Sequence, residues 1–316
     1  MIHCGGIDGI LMAADELKSM LGNDDWRMRL AGAKVLERIK VKQFYHPLEN
    51  LLQDENIHVQ RGAIQAAGEI KSPFLLPILV EKLKQGKTKR VATVSLSKYG
   101  NDAIKPLASI LENINYESEI RIHIPKILRL IGTQECLNVL INSLNIKNNR
   151  IRNNIISEVS QMVLSNRQLK LNIEKIKNHI EAETKNYYQQ IIILSVFGNK
   201  INDSLLSEVL HLRMNNIIQR VLYLLTVSHP DHPIESISYG FKSPDPFTRS
   251  NSIELLDNIL ESEHKQPILT MLEDEAMEKK LRLCQTYFQG LKKDSFIGCL
   301  QQLLDDDNRW TVACTI

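Results

Sequence analysis

The sequence predicts an all-α chain folded as an α-solenoid of stacked helical hairpins, and three observations predict it. LLQDENIHVQRGAIQAAGEI (51–70) repeats the grammar of LGNDDWRMRLAGAKVLERI (21–39), with Leu21 over Leu52, Trp26 over Ile57, Met28 over Val59, Val35 over Ala66 and Ile39 over Ile70. Apolar residues recur at intervals of three and four almost throughout, as at Val59, Ala63, Ala66, Ala67 and Ile70, which draws one sticky stripe on a helix. Glycines fall where helices should end (Gly86, Gly100, Gly132, Gly198, Gly240), because a residue without a Cβ turns cheaply out of a helix. A helix pair of about 30 residues cannot bury its own stripe, so neighbouring pairs must stack.

In chain order this punctuation predicts hairpins over 8–40, 44–70, 74–99, 102–131 and 134–164, then two longer pairs over 167–199 and 202–227. Three more follow over 233–260, 263–290 and 294–316. The expected organisation is regular repeats over 1–164, longer irregular pairs of the same array over 165–232, and repeats again over 233–316. The last hairpin stops about two turns into its second helix, with no polar outer face at Trp310, Val312, Ala313 or Ile316. It therefore reads as truncated, with the chain expected to continue into other domains. Pro125 lies within IRIHIPKILRLIG, apolar on both sides, which predicts a kinked helix.

Composition bounds the function. A chain of 316 residues, 43% hydrophobic, can bury a core without staples. Net charge is +2; residues 1–150 carry 21 Lys+Arg against 16 Asp+Glu, and the remainder 18 against 21, well short of a nucleic-acid footprint. Cys4, Cys136, Cys284, Cys299 and Cys314 include no CxxC pair, so neither a disulfide framework nor a zinc ribbon is encoded and a reducing compartment is expected. The longest apolar run, around Ile191–Phe197, is too short to span a membrane, and the start lacks a basic n-region. A soluble, cytoplasmic product is expected.

The order of leucine, acid, short polar turn, aliphatic plus Arg, Ala-rich helix, glycine and isoleucine, met in 51–70 and in FKSPDPFTRSNSIELLDNIL (241–260), resembles HEAT repeats. That resemblance implies an armadillo-like α-α superhelix whose second helices pack through Ala and Gly. More narrowly, IRIHIPKILRLIGTQECLNVLINSL (120–144), SPDPFTRSNSIELLDNIL (243–260) and LLDDDNRWTVAC (303–314) resemble the HEAT segment of bacterial nucleotide (ADP/ATP) translocase-like membrane proteins. This implies a cytoplasmic array tethered to the inner membrane through a preceding transporter-like domain. The resemblance also implies repeat-stabilising polar residues at the turn before each second helix. Arg29, Arg152 and Arg249 fill the arginine position, whereas Gln60 and Val312 break it. Asp54 is an acid of the same turn, and Glu254 and Asp257 stand one turn apart in an otherwise apolar helix, where an ion pair or hydrogen bond to a neighbouring repeat is expected, a ligand contact being the other reading.

Few residues suggest chemistry. His229, Asp231 and His232 are interleaved with Pro230 and Pro233 and read as a turn rather than the start of a metal site. The acids at 24–25, 54–55, 273–275 and 305–307 stand where helices begin and read as caps. Lys82, Lys84, Lys87, Lys89 and Arg90 crowd one turn, which reads as a solvated loop or as an interaction surface for an anion. Trp26 and Trp310 open second helices, each either an inter-repeat packing residue or a partner anchor.

The sequence therefore points to a non-catalytic scaffold for protein or inter-domain contact, with no catalytic residue, no metal ligand, no cofactor, no nucleic acid and no membrane-spanning segment. Two other classes stay open: a helical-repeat enzyme (DNA glycosylase-like or lyase-like), and a sensor of anionic ligands through 82–90.

Overall fold

A computed structural model describes residues 7–42, 45–201, 204–241, 243–273, 275–291, 294–304 and 309–316. The fold is all-α, with helices packed in sequential pairs as an α-solenoid requires, and every regular element among the described residues is helical. The chain divides into two compact units, Met1–Val139 and Leu140–Ile316.

The first unit runs α1 (Ile7–Leu21), α2 (Trp26–Ile39), α3 (Tyr45–Leu52), α4 (Ile57–Ile70), α5 (Leu76–Glu81), α6 (Lys89–Ser97), α7 (Asn101–Glu112), α8 (Ser118–Arg121) and α9 (Ile124–Ile131). Each first helix packs on its second (α1 on α2, α3 on α4, α5 on α6, α7 on α9), and the second helices stack in turn, α2 on α4, α4 on α6, α6 on α9. Small residues permit this. A Cβ built on Gly68 of α4 would stand 2.8 Å from Ser95 Cα of α6, so the two backbones meet where only glycine fits. Helices α2 and α4 end alike, on Lys40 and Lys71 in the left-handed region (φ 54° and 55°), each donating its N–H to the carbonyl four residues back.

Pro125 does not kink a continuous helix. Helix α8 ends at Arg121 and a new helix begins at Ile124, with Pro125 in its first turn, where a missing N–H costs nothing because that group has no intrahelical acceptor. The buried Arg121 donates from Nε to Leu111 O (2.9 Å), tying the short α8 back to α7.

Helix α10 (Gln134–Asn142) contains the residues at which the units divide. The second unit continues with α11 (Asn149–Ser165), α12 (Ile173–Phe197), α13 (Leu205–Ser228), α14 (Ile234–Gly240), α15 (Pro246–Ile259), α16 (Ser262–Leu272), α17 (Met277–Tyr287), α18 (Phe296–Leu304) and α19 (Arg309–Thr315). The two longer pairs expected over 167–199 and 202–227 are two single helices, α12 and α13, of 25 and 24 residues. Neither contains a glycine or proline, so nothing ends a turn inside it, and together they form one pair. Helix α12 also packs against α16, α17 and α18. Its aromatic residues make those contacts: Tyr188 donates to Pro267 O (2.9 Å) and lies 5.4 Å from the Phe288 ring, and Phe197 meets Phe296 edge-on at 5.1 Å.

Candidate interaction surface

The corner that opens a second helix is built the same way four times. Asp25, Asn56, Asn148 and Asp245 cap α2, α4, α11 and α15, each accepting from the N–H two residues on. Four residues after each cap, a long side chain reaches back to the carbonyl six residues before it: Arg29 to Asn23 O (2.8 Å), Gln60 to Asp54 O (2.6 Å), Arg152 to Ile146 O (3.1 Å) and Arg249 to Ser243 O (2.7 Å). Gln60 thus does the arginine's work and is no break in the pattern. In the third hairpin Thr88 closes the equivalent span, its hydroxyl donating to Lys82 O (2.9 Å). Each brace satisfies a turn carbonyl that folding removes from water.

Beyond the corner, arginine adds charge. Arg29 grips Asp54 of the next hairpin with two bonds, Nε to Oδ2 at 2.6 Å and Nη2 to Oδ1 at 3.0 Å. Burial of the Asp54 carboxylate opposes ionisation, yet Arg29 and the Asn56 N–H together hold its pKa below the usual range. In the second unit Arg152 Nε stands 2.8 Å from Glu183 Oε1, and Arg220 Nη2 stands 2.7 Å from Glu183 Oε2. These are close ionic contacts, off the line of a good hydrogen bond. Arg220, 2% exposed, is anchored by Asn153 Oδ1 at 2.6 Å, so α11, α12 and α13 share one buried charge cluster. Sequence reasoning missed Glu183 and Arg220. A charged residue amid the apolar stripe of a long helix was the available signal.

The basic turn at 82–90 comes apart on folding. Lys82 is 3% exposed, pointing to Gln53 Oε1 at 3.3 Å, and burial lowers its pKa. Lys84 is held between Glu81 (2.6 Å) and Glu117 (2.9 Å), and these hydrogen bonds raise its pKa. Lys89 is half-exposed; Lys87 and Arg90 remain exposed, but these two belong to a different grouping.

That grouping is the solvent stripe of the stacked second helices. On α2 it is Arg27, Lys34 and Arg38; on α4, His58, Arg61, Gln65 and Glu69; on α6 and its flanks, Lys87, Arg90, Val94 and Lys98. Spacings of three, four and seven keep each set on one helical face. Contacts fix the register between helices: Trp26 stacks on His58 at 5.4 Å, Arg61 Nε donates to Lys87 O (2.9 Å), and Glu69 takes Lys40 at 2.5 Å and Lys98 at 2.6 Å. Hydrogen bonds from those two lysines hold the Glu69 pKa down to about 2. Trp26 is half-buried in this packing, with Arg27 over its ring at 5.0 Å. The signal was legible once the repeats were aligned, since only exposed positions carry charge at matching places.

The remaining candidates lie in the second unit. An open cleft of about 930 Å³ runs between α12, α13 and the α15 to α17 hairpins, with Met214, Met271, Met277 and Arg249 on its walls. Lys280 reaches Tyr187 OH (3.2 Å) and Glu273 O (3.0 Å) there, and burial pushes the Tyr187 phenol up to about 12. Glu254 is exposed, whereas Asp257 pairs with Lys265 of α16 at 3.0 Å, the inter-hairpin ion pair expected of it. His229 is engaged with Ser228 Oγ (2.9 Å), and Asp231 lies 3.5 Å from Arg167. Trp310 is 57% exposed. Of the paired acids, Asp25 is the cap foreseen, Asp54 instead accepts from the Asn56 N–H and leaves the cap to Asn56, and Glu275 pairs with Lys279. Asp305, Asp306 and Asp307 lie outside the described residues.

Residues 14–97 match one protein-family model, described as HEAT repeats. This stretch is similar to HEAT repeats. It takes in α2, α4 and α6, the helices that carry the charged stripe. No curated protein matches the chain at a level that identifies a relative. Among the described residues, no helix is long and apolar enough to cross a membrane.

Proposed function

We propose that the chain is a non-catalytic helical-repeat scaffold whose HEAT segment offers the outward face of its second helices to a protein partner. One observation carries this reading: α2, α4 and α6 bury their small residues against each other while a register-matched stripe of long side chains stays uncovered. Repeat arrays bind along such surfaces because each unit adds the same face at a regular step. The polar residues of the turns support the same reading, since Arg29, Arg152 and Arg249 are occupied in bracing backbone and carboxylates, and Asp257 in an ion pair.

The narrower reading makes this scaffold the cytoplasmic segment of a transporter-like membrane protein. It is supported by the resemblance of segments 120–144, 243–260 and 303–314, and sedimentation of the native gene product with membranes tests it.

The scaffold reading is tested by placing a photo-crosslinking residue at Gln65 or Val94, on the stripe, and at Lys105, on the exposed side of α7. A discrete protein adduct from the stripe positions alone is expected. Adducts of equal yield at Lys105, or none from the stripe, would sink it. So would turnover of any substrate that disappears on Asp257→Asn or Glu254→Gln.

A further inference from the structure

Resting on that scaffold reading, we propose that the stripe binds an extended acidic protein segment whose carboxylates cross α2, α4 and α6 one helix at a time. Charge is the first ground. Glu69 is the one acid among the stripe positions, and it is already taken by Lys40 and Lys98. The Asp25 carboxylate lies 3.7 Å from the Arg27 guanidinium, and Glu37 lies half-buried beside the stripe. The side chains of Lys34, Arg38, Lys87 and Arg90 are exposed, and none of the four makes a hydrogen bond or ion pair to a described residue. Four uncompensated cations on one face are a positive field that folding itself does not use, and a complementary anion is what such a field selects.

Geometry selects the kind of anion. Along a helix, the stripe from Arg27 to Arg38 covers about 16 Å at the α-helical rise. Across it, neighbouring second helices stand roughly 10 Å apart. An extended chain advances about 3.3 Å per residue, so a carboxylate at every third residue would meet each helix in turn. A nucleic acid fits less well. Its phosphates are closely and evenly spaced, whereas Gln65 and Val94 interrupt the cations at the centre of the stripe and Glu69 opposes them at one end. Trp26, the ring that would stack on a base, already holds His58 and Arg27. A membrane surface would want apolar groups to insert, and the stripe offers only Val94.

The test is fluorescence anisotropy with the full chain and a labelled peptide of about 12 residues, glutamate at every third position among serine and threonine. Comparison ligands are a peptide of the same composition with its glutamates clustered, an oligothymidylate of equal length, and phosphatidylserine vesicles. The spaced peptide is expected to bind best, more weakly as salt rises. Lys34→Glu/Lys87→Glu/Arg90→Glu is expected to weaken it by about tenfold or more, and the same peptide with lysine for glutamate should bind that variant. Should the reversals unfold the chain, Lys34→Gln/Lys87→Gln/Arg90→Gln serves, with the same direction expected. Equal binding of the clustered peptide, tighter binding of the oligonucleotide or vesicles, or unchanged affinity in both variants overturns the inference. If crosslinks form at Gln65 while the spaced peptide fails to bind, the acidic partner is wrong and the scaffold survives; if neither occurs, both fall.

Discussion

The two units hold helices together by opposite means. In the first, α4 and α6 touch through Gly68 and Ser95, backbone nearly on backbone, and the ion pair of Arg29 with Asp54 sits at the corners of the hairpins. In the second, α11, α12 and α13 enclose a carboxylate, Glu183, between two arginines. The first arrangement tolerates little added volume because a Cβ at Gly68 would meet Ser95 Cα and Cβ, which cannot swing aside. The second tolerates little removed charge because whatever remains is buried without its counter-ion. The same architecture therefore has two distinct weak points.

The largest effect should come from Glu183→Ala, which strands Arg152 and Arg220. We expect a loss of about 3–5 kcal/mol in urea unfolding followed by Trp310 fluorescence in a Trp26→Phe background. Restoring neutrality with Arg152→Met and Arg220→Met should recover much of it; if the triple variant is no better than the single one, charge is not what the cluster supplies. Next, Gly68→Ala should cost about 1–3 kcal/mol through overpacking, read by Trp26 in a Trp310→Phe background. A neutral or stabilising result would mean that α4 and α6 separate freely, and the comparison between units would lose its first half. Gln60→Ala should cost about 1 kcal/mol for one lost brace, while Gln60→Arg keeps it; equal losses in both would remove Gln60 from the corner motif.

The smallest effect is a pH dependence. Glu69 has a folded pKa of about 2 against an ordinary 4.5, so it binds its proton less readily when folded. Its contribution is present above the ordinary value and is lost as pH falls from about 4.5 towards 2. Since Lys40 is well exposed, solvent screening keeps the amount to about 1 kcal/mol or less. The stability gap between wild type and Glu69→Gln should narrow over that window, and a gap that stays constant or widens would contradict the assignment.

Much of this was legible because repetition amplifies weak signals. Leu21 over Leu52 means little alone, but five such coincidences at one offset give the hairpins, and the same offset carries Arg27 onto His58. Legibility failed where a role depends on a distant partner. A lysine run reads as surface, yet Lys82 is buried because Gln53 of the preceding hairpin reaches it. Glu183 and Arg220 stand on different helices, and no periodicity links them. Gln60 departs from the arginine pattern by residue type while keeping its reach and a donor at its tip. Pro125 reads as a kink or as a start, and only the break after Arg121 decides between them.

The shared carboxylate at Glu69 also bears on how cooperatively the first unit unfolds. A repeat array behaves as a chain of nearest-neighbour couplings, so a weak end can fray while the middle stays folded. Lys40 closes the first hairpin's second helix and Lys98 the third's, and both bind a residue of the second. Losing either outer hairpin thus alters the carboxylate on which the other also relies, a coupling that skips one repeat. Slowly exchanging amides in α2 and α6 should accordingly open together in native-state hydrogen exchange, and Glu69→Gln should separate them into two events of different protection.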